Sequence, residues 1–149
     1  MILDYQNLFS NAQAVTATAV STNVIDLTVA RDLGVGSPSL RVWVQVTTAF
    51  VSAGGATLAV AFQGSVDNST YTDMASSRTY AVVDLGAGKL LLPIMLPRVG
   101  GAQAYPLYYR LNYTVATSTF SAGALTAGLV LDVGTEMAKG YAAGINPAT

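Results

Sequence analysis

From Val24 onward, apolar and polar side chains alternate with a period of two, and the 3.6-residue recurrence of an amphipathic helix does not appear. Ile25, Leu27 and Val29 fall on one side of a first run, Asp26 and Thr28 on the other. Leu40, Val42, Val44 and Val46 make the next apolar row, opposite Arg41, Trp43, Gln45 and Thr47. Gly54-Gly55 then turns the chain into Leu58, Val60 and Phe62, a pairing of signals typical of a hairpin. Short runs follow at Thr70 to Met74 and Arg78 to Val83, and Gly86-Ala87-Gly88 turns into Lys89 to Leu96. Pro93 has no N–H to give a ladder, so that run belongs at a sheet edge or a bulge. Leu107, Tyr109, Leu111, Tyr113 and Val115 form one more row, and Leu125, Ala127, Leu129, Leu131 and Val133 the last.

About eight short strands with turn signals every ten or so residues predict a single all-β domain, an antiparallel β-sandwich of the jelly-roll kind. No interval holds the crossover helices of a parallel sheet. The alternation covers residues 23–133, which leaves an N-terminal arm at 1–22 and a C-terminal tail at 134–149. The arm carries Ile2, Leu3, Tyr5, Leu8 and Phe9, and the tail Met137 and Tyr141. Such ends either dock on their own sandwich or reach a neighbour.

Composition narrows the chemistry. The 149 residues are 52% hydrophobic and 10% charged, with a net charge of −1, which excludes a disordered chain and offers no electrostatic footprint for nucleic acid or an anionic membrane. Histidine and cysteine are both absent, so imidazole and thiolate metal sites, Ser-His-Asp triads, Cys-His pairs and disulfides cannot be built. The first basic residue is Arg31, which is not the start of a secretory leader, so none is expected. Two charge-free stretches, Val42 to Val66 and Leu111 to Leu131, have the length of a membrane helix, but polar residues and glycines interrupt both and they read as strand pairs.

Candidate motifs dissolve on inspection. Gly86-Ala87-Gly88-Lys89 lacks the distal glycine and the hydroxyl of a phosphate loop, because Val83 and Leu90 stand there. Asp67, Ser69 and Asp73 have calcium-loop spacing without its glycine or terminal glutamate, and read as a solvated turn. The sequons at Asn68 and Asn112 matter only in a secreted protein. Eight scattered acids contain no singled-out pair; a hydrolase reading would rest on Asp67 and Asp132, and the expectation is a protein that is not an enzyme and needs no cofactor, metal or small-molecule substrate. Trp43 sits on the polar face of its strand, and Tyr71, Tyr105 and Tyr108 are placed to project outward. Outward Tyr and Trp are an interface signature. A glycan platform would have the same composition, and so would a second face covered by a terminal arm.

Particular strings also resemble a known family. Met1-Ile2-Leu3-Asp4, Gln6-Asn7-Leu8-Phe9-Ser10, Ala12-Gln13-Ala14-Val15-Thr16, Ser21-Thr22-Asn23-Val24-Ile25-Asp26-Leu27 and Arg31-Asp32-Leu33-Gly34-Val35-Gly36 resemble the opening of capsid cement proteins of tailed bacteriophages, the Bordetella-phage type. Gln63-Gly64-Ser65-Val66-Asp67-Asn68-Ser69-Thr70-Tyr71-Thr72, Tyr109-Arg110-Leu111-Asn112-Tyr113-Thr114-Val115 and Gly128-Leu129-Val130-Leu131-Asp132-Val133 are similar to the same family. The resemblance implies a jelly roll on the outer capsid surface of the virion, made in the bacterial host cytoplasm. It would bridge neighbouring major capsid protein subunits, as a homodimer. The contact residues expected from these readings together are Ile2, Leu3, Tyr5, Leu8, Phe9, Trp43, Tyr71, Tyr105, Tyr108, Met137 and Tyr141. The alternative is a phage or cell-surface glycan-binding or receptor-binding module.

Overall fold

The computed structural model describes residues 4–34, 40–97 and 105–131. Within them the chain makes strands β1 (Leu8–Ala14), β2 (Ala19–Val20), β3 (Ile25–Asp26), β4 (Arg41–Val51), β5 (Thr57–Ser65), β6 (Thr72–Ser76), β7 (Tyr80–Ala81), β8 (Leu90–Met95), β9 (Tyr108–Ala116) and β10 (Ala122–Val130). Two 3-10 turns, Tyr5–Asn7 and Val82–Asp84, are the helical elements among the described residues. All strand pairings are antiparallel, in one sheet ordered β1-β10-β4-β8 and a second ordered β2-β9-β5-β6, with β3 also on β9 and β7 also on β5. The two sheets pack as a sandwich, so the all-β expectation holds. β2 with β3 and β6 with β7 act as two interrupted strands, which leaves four positions in each layer.

The core lies between the layers. Val42, Val44 and Val46 of β4, Leu58, Val60 and Phe62 of β5, Tyr109, Leu111 and Tyr113 of β9, and Leu125 and Ala127 of β10 are buried, each set at every second position. Phe62 stacks on Tyr109 with ring centroids 5.2 Å apart. β8 is an edge strand, and its register on β4 slips between the Ile94 and Leu91 pairs, so Pro93 sits at an edge and beside a bulge together.

The sandwich starts earlier than residue 23. Residues 8–14, placed in the arm by their pattern, are β1, paired along β10. Two register breaks insert extra residues between Leu8 and Gln13, with Ala12 at φ 47, and these bulges erase the alternation that would have announced a strand. β1 is also tied to the opposite layer. Ser10 Oγ donates its one proton to Gln13 Oε1 at 2.6 Å, so the buried Tyr113 hydroxyl, 2.7 Å away, donates to Ser10. Gln13 in turn accepts from Thr22 N and donates to Val20 O, closing the seam between β1 and β2.

Candidate functional site

The expected contact residues separate into four groups. Phe9 is fully buried in edge-to-face contact with Phe62, 6.1 Å between centroids, so it belongs to the core and is withdrawn from the contact set. Trp43 is withdrawn as well. It does lie on the outer side of the first sheet, but Val130 and Leu90 pack against it and only 4% of it is exposed. The N-terminal segment covers the same side: Leu8 Cδ2 and Asn7 O lie 3.1 and 3.0 Å from where a side chain on Gly128, directly opposite Trp43, would begin. Ile2, Leu3, Met137 and Tyr141 lie outside the described residues. Tyr5, Leu8, Tyr71, Tyr105 and Tyr108 remain at the surface, in two places.

The first place is one end of the sandwich. There β4 begins at Arg41 opposite Val130 of β10, and β5 ends at Ser65 opposite Tyr108 of β9. Leu27, Leu33 and Leu40 cap the core there while staying partly exposed. A cleft of about 330 Å³ opens among Ile25, Leu27, Leu33, Leu40, Leu129 and Leu131. Beside it a wider cleft of about 540 Å³ runs between β1 and residues 22–26, with Tyr5 and Leu8 in its lining. Tyr5 is 79% exposed and Leu131 59%. Val29, Val66 and Tyr105 add further exposed apolar surface around this end. Asp4 and Leu131 both line the smaller cleft, so the chain's first three residues and its residues 132–149 are joined to the domain there.

The second place is the outer face of the second sheet. Asp73, Gln63 and Arg110 stand directly opposite one another across β6, β5 and β9. Arg110 Nε donates to Gln63 Oε1 at 2.8 Å, and Gln63 Nε2 donates to Asp73 Oδ1 at 2.7 Å. The Arg110 guanidinium lies 3.7 Å from the centre of the Tyr71 ring, whose hydroxyl donates to Asn68 Oδ1. Burial raises the Tyr71 pKa, with Arg110 acting in the opposite direction and Asp67 and Tyr108 close enough to add to the rise. Tyr71 and Tyr108 were legible as outward residues. Asp73 was read only as part of a solvated turn with calcium-loop spacing, and Arg110 and Gln63 carried no signal beyond a polar place on an alternating strand.

Asp67, a candidate ligand or catalytic acid from its spacing, is spent on its own loop. It accepts hydrogen bonds from Thr70 N, Ser69 N and Ser65 Oγ at 2.8–2.9 Å, which hold its carboxyl below the usual range. Its suggested partner, Asp132, lies outside the described residues. Among the described residues no cluster of three or more acidic side chains is placed to hold a metal, and no helix is long and apolar enough to cross a membrane. The arrangement offers hydrogen bonds, stacking and apolar contact.

No curated protein matches the chain. A sequence model of the Bbp16 family matches residues 9–129, from within β1 to within β10 and therefore across both layers of the sandwich. The chain belongs to the Bbp16 family, whose name points to a Bordetella phage protein.

Proposed function

We propose that this protein is a capsid cement: it sits on the outer surface of a phage head, bridges neighbouring major capsid protein subunits, and stabilises the shell as a homodimer. The observation that carries this reading is the apolar end of the sandwich. Leu27, Leu33, Leu40 and Leu131 surround one cleft, and the exposed Tyr5 lines the wider cleft beside it. Exposed apolar surface gathered at one end, on a chain with so few charges, is what a docking surface needs. Membership in the Bbp16 family and its name favour a phage structural protein. With interrupted strands joined, the layers read 1-8-3-6 and 2-7-4-5, the connectivity of a jelly roll, an architecture that viral shell proteins use repeatedly.

Cementing requires contact area and no turnover. A specific interface buries ~1,200–2,000 Å² in total, and copies repeated around a shell act together through effective concentration. The contacts are apolar and main-chain, so added salt leaves them largely intact. The test is rebinding. Heads stripped of this protein are incubated with the purified chain, and their resistance to heat is compared before and after. Rebinding with a higher disruption temperature is expected, and Leu131→Asp, which changes a side chain 59% exposed at the apolar end, abolishes it while the free protein stays folded. Stripped heads that take up no wild-type protein would sink the proposal.

A further inference from the structure

We propose that the outer face of the second sheet is a binding site for a neutral saccharide, recognised by the Asp73–Gln63–Arg110 row together with Tyr71 and Tyr108. The face belongs to neither cleft at the apolar end, so its occupation is separate from docking on a shell.

Three properties of the face point to sugar. The first is its ordered polar heads. Strands lie ~4.8 Å apart, so the carboxylate, carboxamide and guanidinium of this row are spaced about as widely as alternate hydroxyls on a pyranose ring. Gln63 uses Oε1 on Arg110 and one amide proton on Asp73, which aligns all three groups before any ligand arrives. Arg110 has no ion pair among the described residues, and Asp73 keeps Oδ2 for a hydroxyl. A planar fork and a carboxylate each take two hydroxyls at once.

The second property is the aromatic surface. The guanidinium against its ring and the Asn68 bond at its hydroxyl fix Tyr71 in place, and Tyr108 lies close by. Rigid tyrosines offer an apolar face for C–H-rich sugar surfaces at little entropic cost. The third is charge. The Asp73 carboxylate in the row and the Asp67 carboxylate in the 67–70 turn before Tyr71 offset the single Arg110 charge, so the face has no positive excess to attract an anionic sugar.

The experiment is a titration of ¹⁵N-labelled full chain with maltotriose, cellotriose, triacetylchitotriose and, as an anion, trigalacturonate, each to about 20 mM, because an open face of this size implies a Kd of about 1 mM. Saturable amide shifts confined to residues around Gln63, Tyr71, Asp73, Tyr108 and Arg110 are expected with at least one neutral sugar. Arg110→Ala weakens binding tenfold or more while the chain stays folded, with cooperative unfolding and amide shifts away from the face unchanged. Arg110→Lys weakens it too, since the charge survives and the fork does not. The proposal is overturned if no neutral sugar gives saturable shifts, if Arg110→Ala binds as wild type does, or if trigalacturonate binds more tightly. It is also overturned if Arg110→Ala loses head rebinding while no sugar binds, which assigns the face to the capsid. A wild-type chain that binds sugar but no heads would remove the cement reading and leave this one standing.

Discussion

Replacing Phe9 by alanine decides whether β1 is part of the free protein's core or an arm kept for a partner. The Phe9 ring is fully buried between the layers and meets Phe62 edge to face. An aromatic side chain buries ~150–250 Å², worth about 4–6 kcal/mol at ~25 cal/mol per Å², and this is an upper value because the unfolded chain already hides some of that area. β1 is an edge strand and can settle partly into the space left. The expected loss is therefore about 3–4 kcal/mol, within the range for aromatic truncations in cores. That is a large part of the ~5–15 kcal/mol that holds a domain together, and it lowers Tm by about 10 °C. Urea unfolding at neutral pH reads it as a lower midpoint with an unchanged slope. A loss below about 1 kcal/mol together with failure to rebind heads would refute the reasoning, since Phe9 would then be spending its burial on another chain.

Tyr109→Phe acts in the opposite direction. The Tyr109 hydroxyl is buried without a hydrogen-bond partner among the described residues, so removing it leaves stability at neutral pH equal or raises it by about 1 kcal/mol, measured by the same urea titration. Burial, with Asp32 adding to it, pushes the Tyr109 pKa up to about 12, above its unfolded value near 10. The native state thus favours the neutral phenol, and the associated stability is full below about pH 10 and lost between about pH 10 and 12. The Phe variant loses less over that window. Gly123→Ala is expected to cost about 3 kcal/mol in thermal unfolding. Gly123 has φ 150, and an added Cβ would lie 2.2 Å from Phe50 Cδ1, while that ring is held against Phe120 at 4.8 Å. Asp67→Asn flattens the acid side of the stability profile. The Thr70 and Ser69 N–H groups and the Ser65 hydroxyl lower the native pKa of Asp67, so its contribution is present above about pH 4 and fades as pH falls through the depressed value. Acid unfolding followed by fluorescence shows a shallower fall for the Asn variant.

Alternation along the chain determined the class of this protein and most of its strands, because period two is a local property that any stretch of five or six residues carries by itself. The sequence also narrowed Pro93 to a sheet edge or a bulge, since a missing N–H is local too. What it left open depends on partners far away in sequence. β1 was invisible because its bulges cancel the period, and its place is set by β10, more than a hundred residues on. Trp43 was correctly assigned to the outer side of its strand, yet alternation distinguishes two sides without saying what covers either. Val130, Leu90 and the N-terminal segment decided that. Arg110, Gln63 and Asp73 were three ordinary polar positions until strand register set them in one row. Register and layer packing are long-range events, and they decided which surfaces remain open for a partner.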